Sequence, residues 1–143
     1  MNTFLPFPSF EDSVKVLDDK RLGKQRVEAM QLLNVLSDPN RKGWRNHPAT
    51  KMWRGYEHAL CEYGLSCCAE WTSRGYKDTV AENIRGRIDQ FSDTGRPPWI
   101  GDSAFHAAHR SNLIRKDPDF YGRYGWSEPA DLPYVWPPGR PLA

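Results

Sequence analysis

The run Asp18-Asp19-Lys20-Arg21-Leu22-Gly23-Lys24-Gln25-Arg26-Val27-Glu28 sets one carboxylate, Glu28, among the cations Lys20, Arg21, Lys24 and Arg26 at helical spacing. From Leu22 onward, Ala29, Met30, Leu33 and Leu36 fall on one face of a helix, the pattern of an amphipathic element packed on a core. Arg21, Gln25 and Glu28 line one border of that stripe. A border position is half-dry, so Glu28 would be held rigidly there. The same spacing also suits a surface helix whose charges pair one turn apart. The flanking segments have to decide between the two.

Upstream, residues 1–8 (MNTFLPFP) are apolar with two prolines and read as an extended segment pinned to the core. Ser9 followed by Asp12 starts a helical stretch reaching about Leu36, which Gly23 can divide, with Asp18 or Asp19 capping the second half. Residues 37–47 form a loop rich in turn formers and cations. Pro48 opens the longest helix, running to about Ser73, with the stripe Met52, Tyr56, Ala59, Leu60, Tyr63 and Cys67 flanked by Trp53 and Trp71. Gly75 ends it. Thr79-x-x-Glu82 is a capping box for a helix carrying Val80, Ile84, Ile88 and Phe91. After a Gly-Arg-Pro-Pro turn, another helix runs from about Asp102 to Arg115. The aromatic, proline-rich tail over 117–143 reads as an ordered coil wrapping the helices, since so many aromatics would not stay solvated. No strand pattern and no internal repeat is visible. The expected fold is all-α: a compact few-helix bundle forming one domain over 1–143, with long irregular connections.

Composition narrows the function. Hydrophobic residues are 38% of the chain, with six Trp, six Tyr and six Phe among them, so the core relies on large aromatic side chains. No apolar run approaches a membrane span. Cys61, Cys67 and Cys68 are an odd number without a C-x-x-C pair, which fits free thiols in a reducing compartment. The expectation is a soluble cytoplasmic monomer. Net charge is only +2, but residues 20–54 hold nine Lys/Arg against two acids, and the remainder 11 against 16. Such a basic segment is the electrostatic footprint of a phosphate-backbone binder.

Metal chemistry finds little support. His58 and Cys61, or His106 and His109, are spaced to supply two ligands each, but neither pair belongs to a paired knuckle or a His-Glu-x-x-His. No metal or cofactor is expected. The segment Gly43 to Arg54 is richer. Trp44, Arg45, Asn46 and His47 sit in a loop ahead of the helix opened by Pro48, where backbone N–H groups favour an anion. Lys51 and Arg54 add charge, and Trp44 and Trp53 could stack on bases. Equally, both tryptophans could be core and Asn46 and His47 only caps.

These motifs, in this order, resemble the small pyrimidine-dimer DNA glycosylases of the phage endonuclease V family, and even more a bacterial and phage branch of it. Asp19-x-Arg21-Leu22 followed by Glu28 resembles the family's first helix with its catalytic glutamate. Asn46-His47-Pro48 and the helix leading to Arg74-Gly75-Tyr76-Lys77-Asp78-Thr79 resemble its His-bearing turn and long central helix. Pro98-Trp99-Ile100, His109-Arg110-Ser111 and Asp117-x-x-Phe120-Tyr121-Gly122 resemble its closing helix and aromatic end.

The resemblance implies base-excision repair of a damaged or modified pyrimidine in double-stranded DNA, with abasic-site lyase activity. An N-terminal α-amine would attack the sugar C1′ and form a Schiff base, as suits amines that ordinarily titrate near about 8. Glu28 would stabilise the cationic sugar, and Arg21 and Gln25 would orient it or grip a phosphate. Lys24, Arg26, Trp44, Arg45, Asn46, His47, Lys51, Arg54 and Arg110 would hold the DNA. Asn2 is too bulky for ordinary removal of the initiator methionine, so the amine would belong to Met1. Pro6 and Pro8 lengthen the path from that amine to Glu28, and its reach is a question of tertiary structure. The rival reading is a non-catalytic DNA-binding module with a basic face.

Overall fold

Local capping chemistry explains where the helices begin. The structure, a computed structural model, describes residues 1–140. Helix α1 (Phe10–Lys15) is capped by Ser9, whose side chain accepts from the Asp12 amide. Asp18 caps α2 (Asp19–Ser37) by accepting from Arg21 N. The expected long helical stretch is therefore divided at residues 16–18, not at Gly23. Gly23 lies inside α2, where an added Cβ would come within 2.9 Å of the Trp71 ring. His47 caps α3 (Pro48–Trp53), with Pro48 in its first turn. The helix expected to run from Pro48 to Ser73 is broken at Gly55, whose φ of +88° is accessible mainly to glycine, and restarts as α4 (Glu57–Ser73).

Asp78, rather than Thr79, starts α5 (Ala81–Ile88), its carboxylate accepting from both Val80 N and Ala81 N. Asp102 caps α6 (Ser103–Lys116). The tail opens with a short helix, α7 (Pro118–Tyr121), and a 3-10 turn (Gly122–Tyr124), where an irregular coil was expected from Asp117. Beyond them it runs as a coil over α6: Ser111 Oγ donates to Pro129 O, and Asn112 Nδ2 donates to Leu132 O. Residues 141–143 of the expected tail lie outside the described residues. Among the described residues every regular element is helical, and no helix is long and apolar enough to cross a membrane.

Helices α2 and α4 form the centre, with α1 and α5 packed on α4. Their shared core is aromatic as composition suggested, with Trp53, Tyr63, Tyr121 and Phe105 fully buried. The buried face of α2 is Leu22, Gln25, Glu28, Ala29, Leu32, Leu33 and Val35. Met30 and Leu36 are only half-buried, so the stripe is rotated from its expected centre. That rotation carries Gln25 and Glu28 from the border into the interior, and the N-terminal segment accounts for it.

Residues 2–5 belong to no regular element and the chain bends over 6–9, so no β-partner satisfies the backbone of this segment. Side chains do it instead. Asn2 N donates to Glu28 Oε2, Phe4 N to Gln25 Oε1, Leu5 N to His109 Nδ1 and Phe7 N to Ser13 Oγ. In return Gln25 Nε2 donates to Asn2 O, Tyr63 Oη to Phe4 O, and Arg110 to Pro6 O. Pro6 and Pro8, lacking N–H groups, fall where no donor is needed. The prolines thus stiffen the segment without diverting it from α2.

Candidate active site

Glu28 is only 8% exposed, and its environment is built by the chain's first residues. Oε2 accepts from Asn2 N at 3.3 Å and from Gln25 Nε2 at 2.9 Å. Oε1 faces Lys24 Nζ at 4.0 Å. Gln25, 1% exposed, is saturated: its Nε2 also holds Asn2 O at 3.0 Å, while its Oε1 accepts from Phe4 N at 2.8 Å and lies 2.6 Å from Tyr63 Oη, whose single proton it shares with Phe4 O. A buried amide with every position used cannot rotate without leaving partners unpaired. Gln25 therefore fixes both the carboxylate and the backbone that carries Met1.

The two residues open onto a cleft of about 360 Å³, lined also by Met1, Asn2, Phe4, Lys20, Arg21, Lys24, Lys116, Tyr134 and Trp136. Its volume is within the range of small-molecule sites. One buried carboxylate thus sits in a cleft lined by four cationic side chains and by the aromatic rings of Phe4, Tyr134 and Trp136. His47 stands close enough to feel both ends of this arrangement. Partial burial lowers the pKa of its imidazole, the positive terminus at Met1 pushes the same way, and Glu28 opposes. Its Nδ1 accepts from Ala49 N at 3.0 Å, so the neutral ring carries its proton on Nε2.

Met1, Arg21, Lys24, Gln25 and Glu28 thus share the cleft. Arg21 lines it but pairs with Asp18 at 3.2 Å and does not touch Glu28. Trp44 is 52% exposed and packs its ring 5.4 Å from that of His47, on a backbone with φ of +63°. Asn46 is exposed beside it, and Lys51 and Arg54 line a second cleft with Trp136.

Other expected DNA contacts are placed elsewhere. Arg26 pairs with Asp78 and lies over the Trp71 ring, so its charge is spent joining α2 to the start of α5. Arg45 donates to Val35 O, Asp38 O and Arg41 O, closing the C-terminus of α2. Trp53 is fully buried, with its Nε1 donating to Thr3 Oγ1, and cannot reach a base. Arg110 pairs with Glu128 and Pro6 O, tying the tail to the N-terminal segment.

Histidines 106 and 109 are spent on the backbone of Leu5, and Cys61 is fully buried with its thiol pKa pushed up to about 12 by burial. Neither of the two pairs spaced for a metal therefore presents two free ligands. His58 instead meets Glu62 and Asp93 at the surface, at 3.3 and 3.9 Å. Sequence reading missed Lys20, Lys116, Tyr134 and Trp136. Lys20 reads from the sequence only as one more cation of the α2 run, Lys116 carries no signal, and the two aromatics reach the cleft only through the path of the tail.

No curated protein matches the chain with significance, and no solved structure does. Residues 1–82, which carry Met1, the Gln25–Glu28 pair and the His47 turn, match the sequence family described as pyrimidine dimer DNA glycosylase. That span exceeds half of the chain, and with it the protein belongs to the pyrimidine dimer DNA glycosylase family.

Proposed function

We propose that the chain excises a damaged pyrimidine from duplex DNA through the α-amine of Met1, assisted by Glu28, and then cleaves the resulting abasic site. The observation that carries this reading is the bond from Asn2 N to Glu28 Oε2, which brings the first peptide unit of the chain against a buried carboxylate in an open cleft. The amine is three covalent bonds from that peptide nitrogen.

In the proposed step the amine lone pair forms a bond to C1′ as the C1′–base bond breaks, and its electron pair leaves with the base. Loss of one proton from nitrogen, followed by cleavage of the C1′–O4′ bond with protonation of O4′, gives an iminium. The Glu28 carboxylate faces the positive charge that develops on the sugar, and Oε1, which carries no close hydrogen bond, takes up a proton from the amine. The base must leave the stack to be reached, as for other enzymes that act on one. Lys20, Lys24 and Lys116 around the cleft supply the attraction for the phosphates on either side.

Borohydride trapping tests the reading. Incubation with duplex DNA carrying a cyclobutane dimer or an abasic site should give a covalent adduct linked through the first residue. Glu28→Gln should lower turnover by roughly 10²-fold or more, the range for losing a positioned acid–base group, with binding nearly unchanged. Salt-dependent binding with no adduct and no cleavage would replace the enzyme by a non-catalytic DNA-binding module.

A further inference from the structure

The loop joining α2 to α3 is exposed along most of its length, yet it is tightly braced. Arg45 donates to Val35 O at 2.9 Å, to Arg41 O at 2.6 Å and to Asp38 O. Asp38 Oδ1 accepts from Asn40 N at 2.9 Å. Trp44 O is pinned from two sides, by His47 N at 3.1 Å and by Oγ1 of the fully buried Thr50 at 2.6 Å. These bonds hold Trp44 at φ +63°, and among the described residues it is the only one other than glycine with a positive φ. A bulky side chain is strained in that region, whereas a glycine would occupy it freely.

Burial does not offset this strain. The indole is 52% exposed, and no other large hydrophobic residue among those described is as open. Its ring meets His47 edge-on at 5.4 Å, and the same histidine meets Trp136 at 5.9 Å, at the edge of the cleft that holds Met1 and Glu28. One histidine ring thus separates the indole from the cleft. Arg41 and Lys42, just ahead of it, are exposed and enter no ion pair among the described residues. A braced loop that holds a strained indole out in water, beside unpaired cations, is built to meet a polyanion with flat apolar interior surfaces.

Duplex DNA offers that surface once it is opened. A pyrimidine cannot enter the cleft while stacked, and a base that leaves the duplex vacates a gap one base step high. An apolar ring inserted there takes over the lost stacking, while cations beside it hold the phosphates. We propose that Trp44 is a wedge: it enters the duplex from the α2–α3 loop and fills the gap left by a base turned out of the stack. This rests on the reading of the cleft as a glycosylase site and adds to it the group that opens the DNA. Trp44 touches no reacting atom and acts as a positioning residue. The braced backbone suits the role, because a ring already fixed in place loses little freedom on insertion.

Fluorescence of 2-aminopurine placed opposite a cyclobutane pyrimidine dimer reads unstacking without any need for cleavage. Saturating wild-type protein should raise it. Trp44→Ala at saturation should lose most of the rise, and Trp44→Phe should keep most of it. Trp44→Gly, relieved of the left-handed strain, should lose the rise while its urea midpoint stays near that of the wild type. In turnover, Trp44→Ala should lower kcat/KM about ten-fold on the paired duplex. It should leave kcat/KM unchanged when the dimer sits in a bubble of mismatched bases, where the stack is already open. No rise with the wild type, an equal rise with Trp44→Ala, or an equal loss of turnover on both substrates would overturn the wedge. So would a rise lost only in variants whose urea midpoint collapses. A rise that depends on Trp44, with neither cleavage nor a borohydride adduct, would sink the Schiff-base reading and leave the wedge standing.

Discussion

Glu28 is useful because of what holds it, and the residue that holds it is Gln25. Both oxygens of a free carboxylate would turn toward water. Here one is fixed by the first peptide of the chain and by the Gln25 amide, leaving the other facing the cleft. Two histidines secure the same peptide segment from the far side. His109 Nδ1 accepts from Leu5 N, and His106 donates from Nδ1 to Leu5 O while its Nε2 accepts from Gly101 N. Both rings must therefore be neutral. Burial lowers the pKa of His106, and burial together with His106 lowers that of His109 to about 3. The unfolded chain, with ordinary histidines, binds more protons below about 6.5, so stability should be complete above that pH and decline as pH falls toward 3. The slope should approach about 1.4 kcal/mol per pH unit for His109, with His106 adding in the same direction. Urea midpoints measured from pH 7.5 to 4.5 should show this decline, and His109→Gln should flatten it.

Among the elements, α2 and α4 carry the site between them, since Tyr63 of α4 reaches Gln25 of α2. They approach closely where α4 has Gly64. A Cβ there would sit 3.2 Å from Ala29 Cβ and 2.7 Å from the end of Ile84. Glycine within a helix costs about 1 kcal/mol relative to alanine, so its presence is explained by packing rather than propensity. Gly64→Ala should gain that propensity and lose more by crowding, for a net destabilisation of about 1–2 kcal/mol in urea unfolding. Its effect should extend to the site, because pushing α4 away lengthens the Tyr63–Gln25 bond. Ile84→Val, which removes the methyl nearest the clash, should recover part of the loss.

At the scale of the whole molecule, packing has sorted these cations into two populations. Among the described residues, Lys20, Lys51, Arg54 and Lys116 enter no ion pair, whereas Arg26 and Arg110 are committed to Asp78 and Glu128. The two groups should behave differently in DNA binding. Lys20→Ala and Lys116→Ala should each lower the slope of log affinity against log salt by about one, with little change in stability. Arg26→Ala should leave the salt slope alone and lower stability by about 1–2 kcal/mol, because Asp78 keeps the Val80 and Ala81 amides but loses its paired charge. A salt slope that drops equally in all three variants would show that packing has not divided the cations in this way.

The α-helical class, the caps at Ser9 and Asp18 and the family itself were all readable from the chain. Each rests on residue types within a few positions of one another, and helical periodicity and capping act over that range. What the sequence misplaced was the rotation of α2, the break at Gly55, the cap on α5 and the direction in which Arg26, Arg45 and Arg110 point; it left open whether Trp53 belonged to the core. Those outcomes depend on partners far along the chain. Asn2 meets Glu28 across 26 residues and Leu5 meets His109 across 104. Periodicity could say that Glu28 lay near the edge of an apolar stripe. Only the packing of an irregular, donor-rich N-terminus against that stripe drew the carboxylate inside, and only the course of the tail set Trp136 across from it.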